Sequence, residues 1–256
     1  MNIFILVVGL LCIAIAIALF IKNNSLQKEI FAIKATETST VADLKAIRDN
    51  IADELGNMGA WRQQVEVKGH VVCSNPLTAQ LSQRPCVYSH TVILEQYEEE
   101  EDTTDEEGEV TTTTHSGSKT ISNNQTQINF WLEDATGKIE IDPLNAKIDG
   151  LTVVKEFEPK NQIVNSRYRI IGYQKTEKII AVESFIYVLG GISDADGKLK
   201  ICAPSDRQEP FFISYKSEEE LIKAKASSSK SSFFWGIGLS IAGLSMALLS
   251  LISILS

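Results

Sequence analysis

Residues 129–143 read NFWLEDATGKIEIDP, two alternating runs around the turn Asp134-Ala135-Thr136-Gly137. Phe130 and Leu132 alternate with Trp131 and Glu133 before the turn, and Ile139 and Ile141 alternate with Glu140 and Asp142 after it. A period of two gives each run one face to bury, which predicts a β-hairpin. The same grammar extends from 65 to 216. Val65, Val67, Val71 and Val72 around Gly69 predict a first strand, and CVYSHTVILEQY (86–97) a long second one, with Asn75-Pro76 and Arg84-Pro85 marking the loop between them. After the hairpin come the turns Asp142-Pro143 and Asp149-Gly150 and a Glu/Lys-rich connection through Pro159. RYRIIGYQ (167–174), 178–182, 183–192 and 198–203 predict further strands, the last one following the turn Asp194-Ala195-Asp196-Gly197. Phe211, Phe212, Ile213 and Tyr215 close the domain. Many short strands with glycine punctuation predict a mainly β fold, an OB-like Greek-key barrel with additions, and argue against a βαβ fold.

Two segments interrupt this pattern. The run 98–125 holds the acid block and then TTTTHSGSKTISNN, with almost no large apolar residue to repay its ordering, so a disordered insertion is expected. Its acids lack the alternating oxygen-ligand spacing of a calcium loop and read as a solvated run. Upstream, Thr40 with Asp43 three residues on forms a capping pattern, and Val41, Leu44, Ile47, Ile51 and Leu55 recur at spacings of three and four before Gly56. This is an amphipathic helix whose stripe packs on the β domain or pairs with a second copy of the chain, so a homo-oligomer is one reading.

The ends have another character. Residues 3–21 carry no charged or polar side chain, close to the ~20 that cross a bilayer as a helix. The rival reading, a cleaved signal peptide, rests on Ala14, Ala16 and Ala18 but lacks a basic leader. Residues 233–255 are uncharged too, with Trp235 placed as an interfacial anchor and two pairs of small residues at four-residue spacing, Gly236 with Ser240 and Gly243 with Ala247, which would let another helix approach closely or are ordinary membrane-helix composition. The expected organisation is a membrane anchor (1–22), a linker with the amphipathic helix (23–60), the β domain (61–225), a serine-rich linker (226–232) after a short helix capped by Ser217 to Glu220, and a second transmembrane helix (233–256). Lys22, Lys28 and Lys34 follow the first span and Lys223, Lys225 and Lys230 precede the second, so the positive-inside rule places the middle domain in the cytoplasm.

Composition limits the chemistry. Of 33 acids, ten lie in 95–109, leaving 23 against 24 bases. A body so near neutrality carries no basic footprint, and no nucleic-acid partner is expected. Cys12 lies in the first apolar run; the odd trio Cys73, Cys86 and Cys202 fits a reducing compartment, with a Cys73 to Cys86 bridge as the alternative. No nucleophile elbow, H-E-x-x-H, phosphate loop or C-x-x-C is present, and His70, His90 and His115 are isolated. His70 with Cys73 and Cys86 with His90 have short ligand-like spacings, but strand text does not put such pairs on one face. No metal, cofactor or catalytic residue is assigned, and the candidate recognition residues are Arg84, Cys86, Trp131 and Phe211. Trp131 is expected in the core.

LSQRPCVYSHTVILEQ (81–96), NFWLEDATGKIEIDP, FIYVLGGISDADGKLKI (185–201) and EPFFISYKSEEEL (209–221), in this order between two apolar segments, resemble the GIDE domain. That domain belongs to membrane E3 ubiquitin ligases, among them mitochondrial-anchored and chloroplast outer-envelope ligases. The resemblance covers 38 to about 232 and both flanking spans. It implies a client-recognising domain between two spans and a RING after the second. A RING needs about eight Cys and His ligands for two zinc ions. The domain has three of each and the chain ends at Ser256, so a RING-less, bacterial-type member is expected, a binding or adaptor module for a protein or peptide in or near the same membrane. The alternative is ubiquitin transfer with a separate partner. The resemblance also implies an intermembrane-space or periplasmic domain, against the lysine reading.

Overall fold

The computed structural model describes residues 2–55, 61–104, 108–195, 197–206 and 208–255. In chain order the elements are α1 (Asn2–Ala35), α2 (Val41–Leu55), β1 (Arg62–Val72), β2 (Leu77–Thr78), β3 (Pro85–Thr104), β4 (Val110–Gln127), β5 (Phe130–Asp134), β6 (Gly137–Ile141), β7 (Lys147–Asp149), β8 (Leu151–Asn165), β9 (Tyr168–Ala181), β10 (Phe185–Ser193), β11 (Lys200–Cys202), β12 (Phe212–Ser214) and α3 (Glu218–Leu255). They fall into a helical unit (1–37, 208–210 and 216–256) and a strand unit (38–207 and 211–215).

In the strand unit, β1, β5, β6, β11 and β10 pair in that order and β10 returns to β1, closing a five-stranded barrel. All its pairings are antiparallel except β6 with β11, so the fifth barrel strand inserts between the third and the fourth. This is the OB-type order the alternating text predicts. Phe130 and Ile141, and Leu132 and Ile139, face each other across the organising hairpin and are all buried. They meet Val65, Val67, Val71, Ile186, Val188, Ile192 and Ile201 in one core. A Cβ on Gly69 would come within 2.5 Å of the Glu133 carbonyl oxygen, so the missing side chain lets β1 close onto β5.

Long excursions between barrel strands build a second antiparallel sheet, in which β3 lies between β9 and β4, and β8 flanks β9. Here the structure differs from the sequence reading. The acidic run, expected as disordered, continues as β3 to Thr104 and returns as β4, paired from Tyr88↔Gln127 to Thr104↔Val110. Main-chain pairing holds what side-chain burial cannot, and the threonines suit strands. Arg167 donates to Asp102 at 2.6 Å and Arg169 pairs with Glu98, setting bases against the acids. Asp105, Glu106 and Glu107 of the block lie outside the described residues, as do Gly56, the expected stop of α2, and Asp196 of the expected turn. The Glu/Lys-rich connection is also a strand, β8, whose charges masked its period and whose register breaks at Pro159.

α2 carries the expected cap, with the Asp43 N–H donating to Thr40 Oγ1 and the Thr40 hydroxyl to Asp43. Val41 and Leu44 are fully buried in the barrel core cluster and Ile51 packs against it, so the stripe packs on its own domain, while Ile47 is exposed. A second cap comes from far away in the chain. Asp134 accepts the Val41 N–H at 2.8 Å with one carboxylate oxygen, and the Thr136 N–H, the Thr136 hydroxyl and the Gly137 N–H with the other. Burial pushes its carboxyl upward, but these hydrogen bonds outweigh that and hold it below the ordinary value. The hairpin turn and the helix start thus share one carboxylate. Asp134→Ala is expected to cost about 1–2 kcal/mol at neutral pH. Because the folded value is depressed, the stabilisation is complete above the unfolded value and lost as pH falls through the folded one. Thermal unfolding of both chains at pH 7 and in acid measures this, and the gap between them closes in acid.

The helical unit contains α1 and α3, each long and apolar enough to cross a membrane, with mean hydropathy of 3.3 and 1.7 in their richest windows. They run antiparallel, bringing Gly9 to Gly243 and Phe20 to Phe233. A Cβ on Gly9 would lie 2.9 Å from the Gly243 carbonyl oxygen, so the four-residue spacing on α3 is the seam with α1. Beyond the apolar stretch, Gln27 donates to Ser229 at 2.8 Å, Ser229 donates to Asn23 at 2.6 Å, and Lys225 pairs with Glu29 at 2.7 Å. These polar contacts keep 226–232, expected as a linker, helical and continuous with the apolar segment. The expected box at Ser217 and Glu220 caps α3.

Candidate recognition surface

The four sequence candidates do not come together. Cys86 is fully buried in a small core with Ala79 and Ile179, and its thiol is pushed up to about 11 by burial and then by the charge of Glu177. Phe211 is buried in the barrel core, and its carbonyl accepts from Lys147 at 2.8 Å. Arg84 is exposed in the loop before β3, with its carbonyl accepting from Ala79 at 3.0 Å. Trp131, expected in the core, is 43% exposed. The physical reason is the pleat: Phe130 and Leu132 take the interior positions of β5, so the residue between them must point outward.

That outward position belongs to a surface that Trp131 alone of the four candidates reaches. Cross-strand pairing aligns Phe185, His70, Glu133 and Lys138 in one row, and Val72, Trp131 and Glu140 in the next. The inward neighbours Ile186, Val71, Leu132 and Ile139 are all buried, which turns both rows to the barrel exterior. The polar members are held sideways: Lys138 pairs with Glu133 at 3.4 Å, and Asn129 donates to Glu140 at 3.1 Å. His70 approaches the Glu183 carbonyl at 3.1 Å with Nδ1, which makes that nitrogen the donor, and its ring meets Phe185 edge-on at 5.2 Å. Phe185 is 56% exposed. The Trp131 indole N–H has no hydrogen-bond partner among the described residues. The face thus carries two exposed apolar rings and one free donor, rimmed by paired charges. Glu133 and Glu140 on the same face oppose a polyanion. Reading both faces of 129–143, and not the buried one alone, would have located the hairpin half of this surface.

The other polar concentration serves the fold. Glu177, wholly buried, accepts the Leu81 and Ser82 N–H groups at 2.7 and 2.8 Å and the Thr91 hydroxyl at 3.1 Å. Burial raises its carboxyl, but the hydrogen bonds from Ser82, Leu81 and Thr91 together hold it below the ordinary value. His90 meets Asn123 at 2.8 Å and His115 lies 3.6 Å from Glu101. All four cysteines are free thiols, so Cys73 and Cys86 are not bridged. Among the described residues no three His, Cys, Asp or Glu side chains are grouped to hold a metal ion.

No curated protein and no solved structure matches the chain. The model of the GIDE family, described as E3 ubiquitin ligase, matches residues 98–249, which takes in most of the second sheet, every barrel strand except β1, and much of α3. That match spans more than half of the sequence and joins the strand unit to the apolar helix after it, and the chain belongs to the GIDE family.

Proposed function

We propose that this protein is a membrane-tethered recognition module that binds a protein or peptide partner in or near its own bilayer and has no catalysis of its own. The observation that carries this reading is Trp131, half exposed on the outer face of a closed barrel with a free indole donor. Tryptophan is the residue type most enriched where binding energy concentrates. The β5–β6 face occupies the place of the second and third strands of an OB-type barrel, the usual binding face of that fold. Confinement to one bilayer raises the effective concentration of a partner held there. Trp131→Ala is expected to leave stability within about 1 kcal/mol, as at a surface position, while weakening partner capture at least tenfold. A photoreactive side chain at position 131 of the full chain, activated in native membranes, is expected to give discrete protein adducts. A crosslinker at Thr113 on β4 should give none. Equal labelling from both positions, or none from 131, overturns the reading.

The family description supports a second reading, ubiquitin transfer with a separate catalytic partner. Incubating native membranes, with and without the full chain, with ubiquitin, activating enzyme and conjugating enzyme separates the two, since conjugates that depend on the chain would favour transfer and their absence would favour binding alone. Sidedness follows the lysines flanking the two apolar segments, which favour a cytoplasmic strand unit. Protease added to inverted vesicles is expected to remove that unit, and protection there with cleavage in right-side-out vesicles would reverse the assignment.

A further inference from the structure

Between α1 and α3 runs a groove whose lining changes character along its length. Toward one end it is lined by Lys22, Ser227 and Ser231, and toward the other by Leu19, Trp235 and Leu239. The change falls where α1 passes from Ile21 to Lys22 and α3 from Ser232 to Phe233, which is where both helices pass from polar to uncharged text. Lys22 has no ion pair or hydrogen bond among the described residues, and Lys225 takes the Glu29 carboxylate on the same pair of helices. The groove thus offers an uncompensated cation and hydroxyl donors beside an apolar trough that contains an exposed tryptophan.

We propose that this groove binds one anionic phospholipid of the surrounding bilayer. Its phosphodiester is held by Lys22 and the serine hydroxyls, and an acyl chain lies along Leu19, Trp235 and Leu239. Charge complementarity selects the headgroup. A zwitterionic lipid brings its own cation to Lys22, whereas an anionic one leaves a net attraction that a juxtamembrane lysine feels strongly. The amphipathic lining selects a lipid over a soluble phosphate, which would leave the apolar half of the groove unfilled. Trp235 suits the position, since aromatic rings with a polar edge favour the headgroup level.

The inference rests on the membrane-spanning reading, and one experiment separates the two. The full chain is reconstituted in phosphatidylcholine vesicles containing brominated phosphatidylcholine or, at the same mole fraction, brominated phosphatidylglycerol. Quenching of Trp235 is read against a Trp235→Phe baseline. The anionic lipid is expected to compete for the site about fivefold better than the zwitterionic one. Lys22→Gln should bring the ratio close to one, while Lys28→Gln, which removes the same charge outside the groove, should leave it in place. Equal quenching by both lipids in the native chain overturns the proposal. So does a preference that survives Lys22→Gln or disappears equally in Lys28→Gln, because either result means diffuse surface attraction. Quenching by neither lipid overturns the membrane reading and the proposal with it.

Discussion

Replacing Glu177 with alanine is expected to destabilise the strand unit by about 4 kcal/mol, since each buried donor left without an acceptor costs about 1–3 kcal/mol. The carboxylate is fully buried on β9 and gathers two main-chain N–H groups from the turn before β3 and one hydroxyl from β3 itself. Alanine would leave the part-buried Leu81 and Ser82 amides without their acceptor. The turn would open and expose Cys86 and Ala79 behind it. Glu177→Gln should cost less, because an amide oxygen still accepts, though the second oxygen is replaced by a donor facing donors. Thermal unfolding of the full chain by circular dichroism reads the size. A midpoint unchanged by Glu177→Ala would mean that the turn is not held from β9.

Acid distinguishes this mechanism from simple loss of packing. The folded carboxyl is held below its ordinary value, so its stabilisation is whole above the unfolded value and disappears as pH falls through the folded one. The destabilisation by Glu177→Ala should therefore be largest near neutral pH and shrink in strong acid. A packing defect would persist at every pH.

How much of this was legible depended on which property each segment wrote into its side chains. The barrel was legible because its strands bury one face, and alternation in 129–143, 65–72 and 185–193 records that directly. α2 was legible from its cap and stripe, and the apolar helices from their length. β4 and β8 were not, because they are held by main-chain hydrogen bonds between exposed strands, and a strand with no buried face has no apolar alternation to read. The helical course of 226–232 was hidden for a related reason. Serine is a poor helix former by itself, and its partners Asn23 and Gln27 lie some 200 residues away. The proposed surface was half legible. Trp131 was singled out and Glu133 and Lys138 share its hairpin, but His70 and Phe185 join them only through strand pairings that no local pattern specifies.

Leu132→Ala is the second large effect, and it is sharpest when set beside Trp131→Ala one position away. Leu132 is fully buried, with its Cδ2 2.6 Å from where a Cβ on Gly69 would sit, so β1 and β5 close around it with no slack. Truncation removes three carbon atoms from a site that cannot collapse, because the barrel closes in hydrogen-bonded register on both sides of β5. Such core truncations cost about 2–5 kcal/mol, and a closed barrel places this one in the upper half of that range. In denaturant titrations the midpoint should fall with the slope unchanged, as for a native state that loses contacts and not compactness. Trp131→Ala removes a larger side chain, yet should move the midpoint far less, because its position faces outward. The order of the two effects therefore tests the register of the hairpin itself. If Trp131→Ala destabilised as much as Leu132→Ala, the two residues would not lie on opposite faces of β5. The surface built on Trp131 would then have to be given up together with the barrel pairing that presents it.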